Sequence, residues 1–360
     1  KLADYHIKLR PGTNVAVLNM MLHFIIKSKL YNADFVRDRT EGFDNFLKEI
    51  ERQDVDHLAK VAGVDKQLVK EAAIAYATAK NSMEFHGLGV TEHEQGSKTV
   101  MLIADLAMIT GNIGRKGVGV NPLRGQNNVQ GAADMGCQPH QGAGYFPVAD
   151  EKHQEFYTEK YGVTHPTKPG LKIPQMFEAA INKELKGLWI IGEDIVQTDP
   201  NSAHVIEAMN SLELLVVQEI FMSETAKLAT VVLPGTTFLE KDGTFTNTER
   251  RIQRVNRAVP PLPGTKPDGL IVTEMMQKLG FDQPTYDADQ VLEEIADIVP
   301  FFKGVTRERL GKFGLQWPVQ EDGTDTKILH TDTFKLGKGR LKNFDWKESS
   351  EIELIKKNIL

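Results

Sequence analysis

The sequence predicts an α/β protein, with mainly parallel sheets and flanking helices in two doubly wound modules and a smaller mixed segment. Three apolar segments, 187–194, 212–221 and 229–235, have the composition of buried strands. Helical segments at 200–211 and 222–229 separate them. Continuously apolar strands that alternate with helices are typical of a parallel sheet covered on both faces. Ligands of such sheets bind beyond the carboxyl ends of the strands.

The N-terminal part is predicted to be mostly helical. Its apolar residues recur with helical spacing in four segments, which are 11–30, 43–52, 54–63 and 65–80. Thr13 or Asn14 is a suitable N-cap for the first of them. A strand, a glycine-rich turn and a helix then follow over 82–111.

The chain is divided into four segments on these patterns. They are a first module at 1–126, a second module at 127–238, a mixed segment at 239–330, and a connection at 331–360 that carries a last helix at 349–358. Because the chain opens on Lys1 without an initiator methionine, we expect it to be part of a longer protein.

Composition excludes several classes of function. The net charge is −6 and no basic stripe stands out, which argues against a nucleic-acid partner. Apolar runs fall short of the roughly 20 residues of a membrane span, so no direct membrane insertion is expected. Cys137 is the single cysteine, which excludes a disulfide framework and a cysteine-rich metal or cluster site. It fits a reducing compartment, and we expect a cytoplasmic location.

Polar residues follow the first strand of the parallel pattern, in the segment 192-GEDIVQTD-199. A carboxylate there can accept two hydrogen bonds at once, and guanine offers such a pair through its ring N–H and its exocyclic amine. Asp194 is therefore a candidate guanine reader, with Thr198 as a second polar contact. The alternative is that Glu193 and Asp194 only cap the following helix. The residues alone leave both interpretations open.

Two other motifs have simpler explanations. The run 111-GNIGRKGVGV-120 lacks the spacing of a dinucleotide fingerprint and follows a helix, which favours a C-cap at Gly111 plus a tight turn. A loop kept thin for a ligand is the alternative. The ten histidines include no pair at metal-ligand spacing, so we expect no metal ligand among them.

A basic cluster lies in 243-GTFTNTERRIQRV-255. It contains Arg250, Arg251, Gln253 and Arg254, side chains that suit a phosphate or pyrophosphate. Solvated charges on an edge strand are the alternative, and by itself this cluster favours that explanation.

The segment 121-NPLRGQNNVQGAADMG-136 concentrates amides and glycines around one arginine. It closely resembles the corresponding segment of the large subunit of molybdenum- or tungsten-dependent formate dehydrogenases, which belong to the dimethyl-sulfoxide-reductase superfamily. Further similar segments occur in the same order, among them "GLGVTEHEQG", "IGEDIVQTDP" and "VVQEIFMSETAKLATVVLPGTTFLEKDGTFTNTERRIQRV". The resemblance runs from about residue 5 to about residue 320.

The resemblance implies an activity and a set of cofactors. Formate would be oxidised to CO2, or formed from it, at a molybdenum or tungsten centre held by two molybdopterin guanine dinucleotides. Electrons would leave through a [4Fe–4S] cluster outside this chain, towards electron-transfer subunits of iron–sulfur, flavin or hydrogenase type. Two other members of the superfamily remain as alternatives, an oxyanion reductase and a cofactor-free electron-transfer scaffold.

The resemblance also implies roles for individual residues. Arg124 would hold the formate carboxylate beside the metal, because a guanidinium forms two parallel hydrogen bonds with a planar carboxylate. The residues expected to line a pterin are Leu88, Gly89, Glu92, Gly125 and Gln126. Those expected to form a guanosine pocket are Gly192, Glu193, Asp194, Thr198, Gln218 and Asp268.

This chain lacks parts of the family pattern. The metal-binding cysteine or selenocysteine, the histidine after it and the cluster-binding domain all lie upstream of the region covered. A C-terminal β-rich domain that encloses the cofactors has no counterpart here either. Cys137 follows the arginine and does not match the metal ligand. We therefore expect this chain to be inactive when isolated.

Overall fold

A computed structural model describes residues 2–350 of the chain. The α-helices in this range are α1 Asn14–Lys27, α2 Ala33–Arg39, α3 Phe43–Glu51, α4 Val55–Ala62, α5 Lys66–Thr78, α6 Leu88–Thr91, α7 Gly96–Ile109, α8 Val129–Asp134, α9 Glu151–Tyr161, α10 Ile173–Ile181, α11 Ile195–Thr198, α12 Ser202–Asn210, α13 Glu224–Lys227, α14 Asp268–Lys278, α15 Ala288–Ile298 and α16 Arg307–Leu310. Short 3-10 turns lie at Ala143–Tyr145, Phe238–Glu240 and Pro300–Phe302.

The strands are short and form several small sheets. They are β1 Thr40–Glu41, β2 Met83–His86, β3 Gly119–Pro122, β4 Gln141–Gly142, β5 Phe146–Pro147, β6 Gly187–Ile191, β7 Leu214–Glu219, β8 Val231–Pro234, β9 Gly243–Thr246, β10 Arg251–Val255, β11 Leu315–Gln316 and β12 Gly339–Arg340. The chain forms two compact units, one of residues 1–126 with 327–360 and one of residues 127–326. The predicted last helix at 349–358 lies, apart from its first two residues, outside the described residues.

The first unit is built around α1. Its side chains are buried on several sides of the helix, including Val15, Met20, Leu22 and Ile25. A helix that is apolar around most of its circumference must be enclosed by other elements, and α3, α4, α5 and α7 pack against α1. The helices predicted for this part are confirmed, and Thr13 is the N-cap residue of α1.

A small parallel pair of strands precedes the segments that carry predicted site residues of this unit. Strands β2 and β3 are paired in parallel with His86 opposite Pro122. Gly111 ends helix α7 in the left-handed conformation, with φ +69°, and the N–H of Asn112 donates to the carbonyl of Ala107 at 2.8 Å. The C-cap interpretation of Gly111 is therefore confirmed.

The second unit contains the predicted parallel sheet, in the order β6-β7-β8. All three strands run in the same direction, with α12 and α13 in the connections between them. Ile190, Leu215 and Val217 are buried beneath helices that contribute Phe177 and Val205. The α/β fold class and the parallel pairing are thus confirmed, although the parallel sheets contain only two or three strands each.

A second core of this unit surrounds an antiparallel sheet, in the order β11-β10-β9. Ile252 of β10, Phe302, Leu310 and Val319 are among its buried residues.

No helix between residues 2 and 350 combines the length and apolar character required to cross a bilayer.

Candidate functional site

The first group of predicted site residues lies beyond the carboxyl ends of β2 and β3. Because these strands are parallel, the loop after β2, which carries Leu88 and Gly89, emerges beside the loop after β3, which carries Arg124 and Gly125. The N–H of Leu123 donates to the carbonyl of His86 at 2.6 Å and holds the two loops together. This pairing fixes the position of the backbone from which the Arg124 side chain extends.

The surface around Arg124 is open. Apart from the chain neighbours and the backbone of α6, no heavy atom of residues 2–350 lies within 4 Å of a Cβ built on Gly89. Apart from its chain neighbours, only Leu88 Cδ1, at 3.9 Å, approaches one built on Gly125. Leu88 is itself 52% exposed. The glycines therefore leave room beside an apolar side chain, which is the surface a flat heterocyclic ring requires.

Two more of the predicted residues lie on the edges of this surface. Glu92 is exposed at the end of α6, where its N–H donates to the carbonyl of Leu88 at 2.9 Å. Gln126 is exposed and is the last residue of segment 1–126, the first of the two segments that form this unit. Their assigned contacts with a cofactor stay predictions.

His86 lies beneath this surface and was not anticipated from the sequence. Its side chain is 7% exposed, and its Nδ1 has no hydrogen-bond partner in the described part of the chain. Burial lowers the pKa of His86, and the positive charge of Arg124 acts in the same direction. The imidazole of His86 is therefore neutral and lies close enough to Arg124 for the guanidinium charge to lower its pKa.

Glu84 occupies the same face of β2 as His86. The hydroxyl of Tyr76 donates to its Oε1, and its Oε2 is buried without a partner among the residues described. Burial raises the pKa of Glu84 to about 7. The signal was present in the sequence, because the polar residues of 83-MEFH-86 alternate with Met83 and Phe85, which point outward.

We expect this carboxyl group to make stability depend on pH. Unfolded Glu84 loses its proton near its ordinary pKa of 4.5, whereas the folded protein retains it to about 7. Stability is therefore fully present below the lower value and falls as the pH rises through the upper one, by about 3 kcal/mol in total. Urea unfolding of Glu84→Gln at about pH 5 and about pH 8 should show a smaller difference than the parent protein.

Asp105 provides the background for this measurement. It is buried in α7 and burial raises its pKa to about 8, so it contributes a dependence of the same sign that Glu84→Gln leaves in place. An identical pH dependence in Glu84→Gln and the parent would show that Glu84 is ionised throughout the range.

The second group of predicted residues lies beyond the carboxyl ends of β6, β7 and β8. Gly192 follows β6 with φ +64°, and its N–H donates to the carbonyl of Gln218 at 2.9 Å. Gly235 follows β8, and its N–H donates to the carbonyl of Glu219 at 3.1 Å. These two backbone bonds bring the ends of the three strands to one edge, where ligands of parallel sheets bind.

Asp194 is held by another helix rather than by its own. Its Oδ1 accepts from the N–H of Thr225 at 3.0 Å and from the Thr225 hydroxyl at 2.7 Å, and its Oδ2 accepts from the N–H of Glu224 at 3.3 Å. Although Asp194 is the N-cap residue of α11, its side chain makes no capping bond there. The alternative interpretation, that Asp194 only caps the following helix, is therefore wrong, because the carboxylate reaches the start of α13 instead.

The environment of Asp194 favours its ionised form. Burial acts to raise its pKa, but hydrogen bonds from Thr225, Gln197 and the Glu224 N–H outweigh it, and the pKa is lowered. Gln197 Nε2 donates to Oδ2 at 2.6 Å and is exposed. Gln197 is therefore the partner that a ligand could replace with the least disturbance of the fold.

Glu193 and Thr198 contact one another. The Thr198 hydroxyl donates to Glu193 Oε1 at 2.7 Å, and both residues are exposed. The structure thus places Thr198 beside Asp194, whose backbone carbonyl lies 3.3 Å from the hydroxyl. Whether either side chain also contacts a nucleotide stays a prediction.

Gln218 and Asp268 are brought together across 50 positions of sequence. Gln218 is 1% exposed and its Nε2 donates to Asp268 Oδ1 at 2.7 Å, while the ammonium group of Lys241 pairs with Asp268 Oδ2. Within the described residues, Gln218 Oε1 and the hydroxyl of Thr236 are buried without hydrogen-bond partners. Buried acceptors and donors left unpaired beside an open edge are the groups that a polar ligand would satisfy.

Lys241 and Thr236 were not identified as site residues from sequence. Lys241 Nζ also donates to the carbonyl of Thr236 at 3.3 Å, so one ammonium group links the loop after β8 to the start of α14. Both residues lie in a segment that resembles the family. The sequence of that segment does not indicate which of its side chains come together in the folded protein. Their functional role here is an inference from position.

The basic cluster of 243–255 has structural partners. Arg250 donates to the carbonyl of Thr326 at 3.1 Å, lies over the ring of Trp317, and has a pKa lowered by burial. Arg251 pairs with Glu249 at 2.6 Å, and Arg254 donates to Asn256 at 2.8 Å. The prediction of solvated charges on an edge strand is wrong, because β10 lies between β11 and β9 and Arg250 is partly buried. These contacts favour a role of the cluster in the fold of the antiparallel sheet.

Comparison with known proteins then decides the family. The family model described as "Molybdopterin oxidoreductase" matches residues 1–278, more than three quarters of the chain. The chain belongs to the molybdopterin oxidoreductase family. Both groups of predicted site residues lie within the matched range.

Curated relatives of this molybdopterin oxidoreductase are named as formate dehydrogenases. The chain is 42% identical over 357 residues to the F420-dependent formate dehydrogenase subunit alpha of Methanocaldococcus jannaschii, covering 98% of this chain and 53% of that protein. It is 38% identical over 353 residues to formate dehydrogenase H of Escherichia coli, covering 96% of this chain and 49% of that protein. The chain thus spans about half the length of these relatives.

A solved structure supports the same fold. Acetylene hydratase from Pelobacter acetylenicus superposes with a TM-score of 0.65 over 85% of this chain and 45% of its own, at 19% sequence identity. The resemblance to the molybdopterin oxidoreductases inferred from short segments is confirmed by the family model and the curated relatives, and the solved structure supports the fold. The roles assigned to individual residues stay predictions.

Proposed function

We propose that this chain is part of the large subunit of a formate dehydrogenase, which oxidises formate to CO2 or catalyses the reverse reaction. The observation that carries the proposal is the position of Arg124 beyond the carboxyl ends of two parallel strands, exposed and beside glycines that leave the surface open. Relatives that match almost the whole chain carry that name, which supports the same substrate.

Arg124 binds and orients formate in this proposal. Its planar guanidinium donates two parallel hydrogen bonds to the carboxylate, which fixes the direction of the C–H bond as well as neutralising the charge. Burial lowers the pKa of His86 beneath it, so this histidine stays neutral and adds no second positive charge. The chain's contribution to the reaction is thus orientation and electrostatics.

The edge of the β6-β7-β8 sheet fits one guanosine of a molybdopterin guanine dinucleotide. Asp194 is ionised and would accept N–H groups of guanine in place of Gln197, and the unpaired Gln218 Oε1 and Thr236 hydroxyl would offer further polar contacts. Apart from its chain neighbours, no atom of the described chain lies within 4 Å of a Cβ built on Gly192, which leaves space for a ring.

Leu88, Gly89, Glu92, Gly125 and Gln126 would lie against a pterin in the first unit. When bound to molybdenum or tungsten, such a cofactor supplies the two-electron redox chemistry that amino acid side chains lack. The proposal includes a [4Fe–4S] cluster and electron-transfer subunits, which agrees with relatives that are named as alpha subunits.

A formate assay with a viologen acceptor, together with metal and pterin analysis of the full-length protein, tests the proposal. We expect formate-dependent dye reduction and a pterin that releases GMP on acid hydrolysis. A protein that holds metal and pterin but reduces nitrate instead of oxidising formate would be an oxyanion reductase. The absence of both metal and pterin from the folded full-length protein would contradict the proposal.

A variant of Gln197 tests the guanosine pocket separately. Gln197→Ala removes the exposed amide from Asp194 Oδ2 and should leave the GMP content of the full-length protein at or above that of the parent. The reason is that guanine then has no internal donor to displace. A GMP content that falls markedly would mean that Gln197, rather than guanine, is the functional partner of Asp194.

A further inference from the structure

A separate cavity of about 390 Å³ lies in the second unit, between the β4–β5 hairpin and helix α9. Its volume falls in the range of small-molecule sites, which are typically about 300–1,000 Å³. It contains none of the residues assigned to formate or to the guanosine pocket.

Aromatic rings form much of its wall. Phe146 stacks on His153 with ring centroids 4.0 Å apart, and Tyr157 stacks on Tyr161 at 6.1 Å. The Tyr157 hydroxyl already donates to the carbonyl of Ala143 at 2.7 Å, so this tyrosine offers the cavity its ring rather than its polar end. Stacked ring faces of this kind select a flat, aromatic ligand.

The polar groups of the cavity suit an anion. Lys168, His153 and His165 line it, whereas its lining in the described chain includes no aspartate or glutamate. His165 Nε2 is buried and lacks a hydrogen-bond partner between residues 2 and 350, whereas His153 Nδ1 lies 3.5 Å from Asp150 Oδ1. Lys168 gives this lining a positive charge, in a chain whose net charge is −6.

We propose that this cavity binds a small aromatic carboxylate. The ring lies against Phe146, Tyr157 and Tyr161, and the carboxylate accepts hydrogen bonds from His165 Nε2 and from the ammonium group of Lys168 at the edge. The volume accommodates one or two fused rings. Binding here is independent of the proposed formate dehydrogenase activity, because the two sets of residues do not overlap.

Calorimetric titration of the full-length protein with 1-naphthoate tests the proposal. We expect a Kd on the order of 100 µM, with the neutral 1-naphthylmethanol binding about tenfold more weakly because it lacks the charge. Cyclohexanecarboxylate should also bind more weakly, since it cannot stack. A crystal soaked with 1-naphthoate should show the probe between Tyr157 and Lys168.

Two substitutions locate the binding. His165→Phe keeps a ring but removes the donor, and Lys168→Glu reverses the charge at the exposed edge; each should weaken 1-naphthoate binding by about tenfold. Lys152→Glu is the matched control, because Lys152 is an exposed lysine of α9 that does not line the cavity. Absence of 1-naphthoate binding, or equal affinity in all three variants and the parent, would overturn the proposal.

Discussion

Arg124→Lys in the full-length protein should lower kcat/KM for formate by about 100- to 1,000-fold while metal and GMP content stay unchanged. Lysine keeps the positive charge but cannot form the two parallel hydrogen bonds that orient a carboxylate. The side chain is exposed beyond β3, so its replacement removes no core contact. Steady-state kinetics with a viologen acceptor measures the first quantity, and metal and nucleotide analysis the second.

Arg37→Lys is a suitable control for this experiment. Arg37 is also an exposed arginine of the first unit, but its partners are the carboxylates of Asp34 and Asp38 on its own helix. We expect kinetics like those of the parent, because surface ion pairs contribute little to stability. If Arg124→Lys matches Arg37→Lys in kcat/KM, then Arg124 does not hold the substrate.

Asp194→Asn should lower the GMP content of the full-length protein, and weaken the guanine contact by about 10- to 100-fold. The substitution replaces an ionised acceptor by an amide, one end of which would face the guanine N–H groups as a second donor. The low pKa of Asp194 means that the parent side chain is charged across the physiological range. The measurement is GMP released per polypeptide after acid hydrolysis.

The structure shows that this variant needs a control for folding. Asp194 also holds the start of α13, so its replacement loses bonds to Thr225 whether or not guanine binds. Thr225→Val removes one of these bonds, together with the bond that the Thr225 hydroxyl accepts from the N–H of Val196, without changing the carboxylate. A GMP content as low in Thr225→Val as in Asp194→Asn would show that the loss reflects the fold and not guanine recognition.

Local patterns were sufficient for most helices and strands. Helices α3, α4 and α5 follow one-sided apolar stripes, and β6, β7 and β8 follow continuous apolar runs between helices, because periodicity reports which face of an element is buried. Gly111 was predictable for a similar reason, since a glycine after an apolar helix favours the left-handed C-cap.

The sequence supplied candidate site residues but not the contacts among them. The resemblance placed Asp194, Gln218 and Asp268 in one pocket, and the strand order explains how Gln218 reaches the edge beside Gly192. It gave no indication that Lys241 completes the group by pairing with Asp268. A side chain that joins two loops 27 positions apart leaves no local pattern.

The sequence by itself determined the fold class, the family and the residues on which the functional proposals depend, because these are carried by short segments and their spacing. Only the tertiary structure decided that Asp194 holds α13, that burial keeps Glu84 protonated to about pH 7, and that Arg250 serves the antiparallel sheet. Each of these outcomes depends on desolvation and on partners distant in sequence. Such partners are set by how the elements pack, which the order of residues does not display.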